Sequence, residues 1–230
     1  MKLRHPMECI ESAILIPARA GSKRIPNKNI VDLAGRPLIQ YSIEESLKAT
    51  GNVFVSTDCD QVKEICRNYK NVIIIDRPPE LCQDSSTTNS VIEHFLDNYN
   101  IETFALVQAT SPLVNHLYLK KGFKKFAQCP EIDTIISTYK TVDFYWSSEG
   151  KPLNFDPTMK KRTQEIQEWH VENGAFYITN RDIFLKNNNL IGENVDFIVM
   201  PKIDSVDIDD YEDLQVAEST ILYRQFKETK

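Results

Sequence analysis

The chain has 230 residues, of which 41% are hydrophobic and 26% are charged, and its formal net charge is −6. A chain of this size buries enough apolar surface to fold without disulfides, so we expect one domain over residues 1–230. The acidic balance argues against a general nucleic-acid binder. No apolar run reaches the roughly 18 residues of a membrane span, so no membrane partner is expected.

The five cysteines are scattered along the sequence without a C-x-x-C pair or a zinc-like spacing. An odd and dispersed set of cysteines is typical of proteins that work in a reducing compartment. Residues 1–8 also lack the apolar segment of a signal peptide. We therefore expect a cytoplasmic protein in which the cysteines are small packing residues.

The first predicted element is a buried strand that leads into a cationic loop. Residues 13–16 are apolar, Pro17 ends the run, and a segment with helical spacing follows over 37–47. The loop between them carries small, basic and amide side chains: Arg19, Gly21, Ser22, Lys23, Arg24, Lys28 and Asn29. Many α/β proteins hold a phosphate in such a strand–loop–helix unit. The loop matches neither a Walker motif nor G-x-G-x-x-G, and a solvated basic loop that binds nothing is the alternative.

Strand-like and helix-like segments then alternate. We predict strands at 52–56, 72–75, 103–107 and 133–139. We predict helices at 58–69, from 83–89 through 95, and at 118–128. Repeated units of this kind predict an α/β fold with a mostly parallel sheet and helices on both faces. Ligands bind beyond the carboxyl ends of such strands, so residues 57–58, 76–77 and 108–111 should lie near the cationic loop.

From 143 to about 171 the pattern changes, and we predict an excursion from the main sheet. The segment begins with aromatic residues 144–146, contains Gly150, Pro152 and Pro157, and includes the basic run 160–162. Its apolar groups need a partner, so we expect it to form part of a dimer. Strands at 173–178 and 196–200 and a final amphipathic helix at 210–226 follow.

Asp207 and Asp209 stand two residues apart in the run 205–210. In an extended segment both carboxylates leave the same face, with Cα atoms roughly 6.5 Å apart. This spacing suits a shared Mg²⁺ ion, which binds carboxylate, water and phosphate oxygens. Two acidic residues before a helix could equally serve its N-terminal dipole, and Asp210 is the expected cap.

Two further strand ends carry polar side chains. Arg77 directly follows the predicted strand 72–75, where it could bind a phosphate or form a surface ion pair. Gln108 follows the strand 103–107, and its amide offers one acceptor and two donors for a ribose, base or sugar.

Taken together, these motifs identify a resemblance. The chain resembles the acylneuraminate cytidylyltransferases, the CMP-sialic acid synthetases, over residues 13–222. The motifs that carry it are Ile-Pro-Ala-Arg-Ala-Gly-Ser-Lys-Arg-Ile-Pro-Asn-Lys-Asn at 16–29, Val-Ser-Thr-Asp at 55–58, Arg-Pro-Pro-Glu-Leu at 77–81, Gln-Ala-Thr-Ser-Pro-Leu at 108–113, Glu-Asn-Gly-Ala-Phe-Tyr at 172–177 and Ser-Val-Asp-Ile-Asp at 205–209.

The resemblance implies a mononucleotide-binding, Rossmann-like fold and a homodimer whose excursion reaches the partner's active site. It implies transfer of CMP from CTP to the anomeric hydroxyl of a nine-carbon α-keto acid sugar, with release of pyrophosphate. Legionaminic and pseudaminic acids share that skeleton, and the eight-carbon acid KDO is a further alternative. A silent nucleotide-sugar-binding subunit is the alternative without catalysis.

The resemblance also implies residue roles. It assigns the CTP phosphates to Arg19, Ser22 and Lys23, further nucleotide contacts to Asn29, Arg77 and Thr88, the sugar to Gln108 and Tyr177, and Mg²⁺ to Asp207 and Asp209. Arg19, Lys23 and Asp209 are the residues expected to act in catalysis.

The chain departs from the family pattern at two places. Thr163 stands where the family often has a sugar-binding arginine. Either Arg162 takes that role by a shift of one residue, or the sugar's carboxylate is held differently. Ala109 replaces the proline of the Gln-Pro-Thr-Ser-Pro motif, which affects only local rigidity.

Overall fold

The computed structural model describes residues 8–159, 162, 165 and 167–229. In chain order the strands and helices are β1 (Ile10–Pro17), β2 (Asp32–Leu33), β3 (Arg36–Pro37), α1 (Leu38–Ala49), β4 (Val53–Thr57), α2 (Asp60–Arg67), β5 (Val72–Asp76), α3 (Thr88–Asn98), β6 (Ile101–Val107), α4 (His116–Gln128), β7 (Thr134–Thr141), β8 (Trp169–Asn180), α5 (Arg181–Asn187), β9 (Val195–Val199) and α6 (Tyr211–Glu228).

Seven strands form one sheet in the order β5-β4-β1-β6-β8-β7-β9. The pairs β1–β4, β1–β6, β4–β5 and β7–β9 are parallel, whereas β8 runs antiparallel to both β6 and β7. The predicted mostly parallel α/β sheet is confirmed, with β8 as the strand that departs from it. Antiparallel neighbours need no helical crossover, so the connection from β7 to β8 is not required to contain a helix.

Helices cover both faces of the sheet. Along β1, Ile14 and Ile16 point into a core with α1, α2 and α4, while Ala13 and Leu15 point into a second core with α3 and α5. All four side chains are fully buried. Side chains alternate along a strand, so an unbroken apolar run is what a strand covered on both faces requires.

A third, smaller core lies at the carboxyl edge of the sheet. It joins the cationic loop, the β2–β3 hairpin and α6, and its buried members are Ile25, Leu33, Leu38, Leu113, Ile208, Ala217 and Ile221. Ile25 and Ile208 belong to the two segments that carry the expected phosphate and metal ligands. Their packing brings those segments together, although they are far apart in sequence.

The structure corrects several predicted boundaries. The predicted excursion 143–171 ends earlier, because β8 already begins at Trp169. Its first part is a hairpin with a bridge between Trp146 and Pro152. Helix α5 and the hairpin β2–β3 were not predicted, since each is too short to show a periodic pattern. Helix α2 begins at Asp60, not at 58.

The last helix begins as expected. The side chain of Asp210 accepts hydrogen bonds from the backbone N–H groups of Glu212 and Asp213, which completes a capping box with Asp213. None of the helices in the described part of the chain is both long and apolar enough to cross a membrane.

Candidate active site

A cleft of about 420 Å³ opens at the carboxyl edge of the sheet. The cationic loop forms one wall and the ends of β1 and β6 form the floor. Its lining residues are Pro17, Arg19, Ser22, Lys23, Arg24, Lys28, Asn29, Asp84, Gln108, Thr110 and Asp209. The cleft therefore brings together the loop that follows β1, the motif that follows β6 and one of the two late aspartates.

The loop is held by hydrogen bonds to its own backbone. Asp58 accepts the N–H of Ala20 at 2.7 Å, and Asn29 donates its side-chain amide to the carbonyl oxygen of Arg19 at 2.9 Å. Gly21 has φ +75°, a left-handed conformation that glycine adopts without strain. Asp58, the first residue of the predicted helix 58–69, lies before α2 and fixes the start of the loop.

Two loop cations share one carboxylate. The Nη2 of Arg19 lies 2.9 Å from Oδ1 of Asp84, and the Nζ of Lys23 lies 2.6 Å from Oδ2. The hydrogen bond from Lys23, reinforced by the charge of both cations, lowers the pKa of Asp84. Asp84 is therefore ionised at neutral pH and faces the cleft.

The other two loop cations meet Asp209. The guanidinium of Arg24 lies 2.8 Å from Oδ2 of Asp209, and the Nζ of Lys28 lies 3.2 Å from Oδ1. Partial burial works in the opposite direction, but the hydrogen bond and charge of Lys28, joined by Arg24, lower the pKa of Asp209. The cationic loop and Asp209 therefore meet in one cleft, whereas Asp207 is not among the residues that line it.

Asp207 and Asp209 flank a buried residue, as expected for an extended segment. Ile208 is fully buried, and its N–H donates to the carbonyl oxygen of Thr110 at 2.8 Å. Protein atoms around the carboxylate of Asp207 raise its pKa, and the charge of Asp209 adds to this, against a hydrogen bond from the Thr110 side chain. The two carboxylates are close enough to repel each other, which a cation would relieve.

A second cleft of about 170 Å³ adjoins the first. The two clefts share Pro17, Arg19 and Gln108, and the second is lined in addition by Arg77, Leu81, Ser86, Thr87, Thr88 and Val91. Arg77 is only 7% exposed, because its guanidinium donates to Oγ and the carbonyl oxygen of Ser56. It is therefore neither a solvent-facing residue nor part of a surface ion pair.

The residues expected to face the sugar are only partly brought together. Gln108 lines both clefts, whereas Tyr177 lines neither and donates its hydroxyl to Glu172. Burial, and then this bond to Glu172, raises the pKa of Tyr177, and the charge of Asp207 contributes. Arg162 is exposed and lines neither cleft, and Thr163 lies outside the described residues.

The motif at 172–177 forms an irregularity in the sheet. The pairing of β7 with β8 shifts between Ile136 and Thr138, and Gly174 takes φ +70° at the shift. Such bulges often re-aim a side chain beside an active site. Here the side-chain amide of Asn173 donates to the Ser205 hydroxyl at 2.8 Å, which ties β8 to the segment that carries the two aspartates.

Asp84 is the cleft residue that sequence reasoning missed as a site residue. It belongs to the polar run 83–89, which was interpreted as the start of a helix. The available signal was topological, since this run follows a parallel strand whose carboxyl end lies at the ligand edge. Thr110, which belongs to the motif at 108–113, also lines the cleft without having been predicted as a site residue.

Comparison with known proteins assigns the chain to a family. A family model described as cytidylyltransferase matches residues 13–220. The N-acylneuraminate cytidylyltransferase of Streptococcus agalactiae serotype V is 29% identical over 86% of this chain and 50% of its own length. The chain thus spans about half the length of that relative. The pseudaminic acid cytidylyltransferase of Campylobacter jejuni is 30% identical over 94% of this chain and 97% of its own length.

Among solved structures, a CMP:2-keto-3-deoxy-manno-octonic acid synthetase complexed with CTP is similar in fold. Its TM-score is 0.68 at 17% identity, and the match covers 93% of this chain and 99% of that one. The chain therefore belongs to the cytidylyltransferase family, a family of nucleotidyltransferases.

Proposed function

We propose that this chain transfers CMP from CTP to the anomeric hydroxyl of a nine-carbon α-keto acid sugar, an N-acylneuraminate or a close relative, and releases pyrophosphate. The observation that carries the proposal is the single cleft that four loop cations share with Asp209, two of them in direct contact with its carboxylate. Two relatives that cover most of this chain are named for N-acylneuraminate and for pseudaminic acid, both nine-carbon acids of this class.

In this mechanism the triphosphate lies along the cationic loop. Arg19 and Lys23 bind its phosphate oxygens as charged donors, and Ser22 adds a hydroxyl in the same wall. Asn29, Arg77 and Thr88 make further nucleotide contacts, the last two in the adjoining cleft. The sugar hydroxyl attacks the α-phosphorus in line with the leaving pyrophosphate. The protein contributes position and charge stabilisation, with Lys23 offsetting the charge that builds on the leaving group.

Asp207 and Asp209 are the residues that would hold Mg²⁺. The fit rests on their chemistry and position: two carboxylates flank buried Ile208, repel each other and lie beside the phosphate-binding wall. No group of three or more potential metal-ligating side chains occurs among the described residues, so phosphate and water oxygens would complete the coordination. When bound, the ion would neutralise charge on phosphate oxygens and activate the attacking hydroxyl.

The acceptor sugar would approach from the side of Gln108 and β8. Gln108 reaches both clefts, and its amide can donate to and accept from sugar hydroxyls. Tyr177 is close enough to Asp207 for the charge of that carboxylate to contribute to its raised pKa, which supports a place for Tyr177 beside the acceptor. Arg162 is proposed for the sugar carboxylate in place of the arginine absent at Thr163.

A homodimer is part of the same proposal. Four large apolar side chains of the excursion and the start of β8 are open to solvent in one chain: Trp146 (54% exposed), Leu153 (66%), Met159 (71%) and Trp169 (41%). Their exposure supports a second subunit as their cover. A cytoplasmic location likewise stays a prediction, supported by five free cysteines.

The direct test incubates the purified chain with CTP, Mg²⁺ and a panel of N-acetylneuraminic, legionaminic, pseudaminic and KDO acids, and follows pyrophosphate. We expect release with at least one nine-carbon acid. Release with KDO alone would contradict the proposed acceptor class. Release with none of the acids would favour a nucleotide-sugar-binding subunit without catalysis.

A further inference from the structure

We propose that Asp84 is an internal counter-anion, which occupies the phosphate-binding cations of the free protein and has to release them when a phosphate chain binds. The inference rests on the proposed function, because it concerns the same Arg19 and Lys23. It adds a residue that opposes binding, whereas the roles assigned above all favour binding.

The geometry of the contact carries the first step. Each oxygen of Asp84 takes one cation: Oδ1 lies 2.9 Å from Nη2 of Arg19, and Oδ2 lies 2.6 Å from Nζ of Lys23. All three residues line the same cleft. One carboxylate therefore holds both cations with its two oxygens, in the manner of a small anion bound at this wall.

The chemistry of the donors makes the contact competitive. Arginine and lysine side chains donate hydrogen bonds only, and donors directed at Asp84 must turn toward a phosphate oxygen to bind it. A carboxylate that stayed in place would also add a negative charge beside the incoming one. A phosphate chain carries more charge than one carboxylate and can engage both cations at once, so it displaces Asp84.

The position of Asp84 permits its displacement. Its side chain is 50% exposed, and the residue lies between the short helical turn Pro79–Leu81 and Thr87, the cap of α3. A carboxylate at such a place can exchange its two cations for water. Asp209 differs, because its N–H donates to the carboxylate of Asp213 and the preceding Ile208 is fully buried.

The same competition acts on the product side. Pyrophosphate leaves the same cations, and the carboxylate of Asp84 is available to take its place at once. Asp84 therefore weakens the binding of every phosphate chain at this wall, but it also speeds the emptying of the site. A variant without the charge should bind phosphate chains more tightly and release them more slowly.

The test measures the binding of sodium tripolyphosphate and of pyrophosphate by calorimetry, in metal-free buffer of low ionic strength without sugar. We expect Asp84→Asn to bind both anions about tenfold more tightly than the unaltered chain, and Asp84→Glu to bind them nearly as the unaltered chain does. Asp76→Asn is the matched control, because it also removes one negative charge, but from a carboxylate that pairs with Lys63 outside the cleft. This variant should bind both anions with the affinity of the unaltered chain.

A double substitution separates competition from a general charge effect. Lys23→Met should weaken tripolyphosphate binding more in the Asp84→Asn background than in the unaltered chain, because in the latter Lys23 must first leave Asp84. Thermal melting checks that each variant is folded, and Asp84→Ser replaces Asp84→Asn if the latter unfolds.

Equal or weaker binding by folded Asp84→Asn would overturn the inference, and so would the absence of any tripolyphosphate binding. The outcome is independent of transfer, since these anions bind without CTP or an acceptor. Tighter binding in a chain that transfers CMP to no sugar would leave Asp84 as a counter-anion and remove only the proposed function. Unchanged binding in an active chain would remove only the role of Asp84.

Discussion

Lys28 joins the cationic loop to the aspartate segment, with its ammonium 2.7 Å from the carbonyl oxygen of Ile208 and 3.2 Å from Oδ1 of Asp209. The side chain of Lys28 is only 16% exposed. Lys28 therefore holds the loop to the aspartate segment through the main chain as well as through the carboxylate, in addition to the contact of Arg24 with Asp209.

We expect Asp209→Asn to lower turnover by about a hundredfold or more and to leave the fold intact. The amide keeps the shape of the side chain but loses the charge that a divalent cation requires. Pyrophosphate release with CTP and the active acceptor measures turnover, and thermal melting monitors the fold. Asp97→Asn, an exposed substitution on α3, is the control and should be neutral. Near-normal turnover of Asp209→Asn would remove this residue from the metal site.

Asp207→Asn should raise the melting temperature at neutral pH while it lowers activity. Asp207 is exposed, but the protein atoms around its carboxylate and the charge of Asp209 raise its pKa in the folded chain, so folding favours the protonated form. The stability that this confers is present below the unfolded pKa and is lost as the pH rises through the folded pKa. At neutral pH the ionised side chain therefore destabilises the fold.

The expected gain is about 1–2 °C, kept small by solvent screening, and it should vanish in acid, where Asp207 is protonated. Asparagine can still accept the hydrogen bond from Thr110. Melting curves of both proteins across the acid range check the prediction. A lower melting temperature of the variant at neutral pH would show that the carboxylate stabilises the folded chain.

Ile208→Val should reduce turnover by more than its cost in stability accounts for. Ile208 is fully buried between the two aspartates, and a lost methylene there costs about 1 kcal/mol and lets the segment shift. Ile221→Val is the matched control, since Ile221 packs in the same core on α6 but carries no ligand on either side. If the two variants lose equal activity at equal stability, Ile208 does not position the aspartates.

Sedimentation at micromolar concentration should show a dimer. Leu153→Glu should convert it to a monomer, because it places a charge on an apolar side chain that is 66% exposed in one chain. Lys151→Glu, on the same hairpin and 77% exposed, is the control and should remain dimeric. A fully active monomer of the unaltered chain would contradict the dimer proposal.

Local patterns were sufficient for much of the fold and of the cleft. The apolar run that became β1 is unbroken because it packs on two faces, and the basic loop follows it directly. The alternation of Asp207, Ile208 and Asp209 also predicted which side chains share a face. In each case the information lies within a few neighbouring residues.

Other features depend on contacts that no local pattern encodes. The direction of β8 is set by its neighbours β6 and β7, and a strand pattern reads the same in both directions. Asp84 meets Arg19 across a separation of 65 residues. Arg77 looks like a surface residue in sequence, yet its bonds to Ser56 bury it against β4.

The antiparallel strand β8 separates the sheet into two parts, with β5, β4, β1 and β6 on one side and β7 and β9 on the other. Because β7 ends and β8 begins at the ligand edge, the segment between them starts and finishes at that edge, whereas the cationic loop follows β1 and Arg77 follows β5 in the other part of the sheet. The length and side chains of the segment between β7 and β8 can therefore change without altering the strands β5, β4, β1 and β6. Substitutions in this segment therefore leave the strands that carry the cationic loop and Arg77 unchanged.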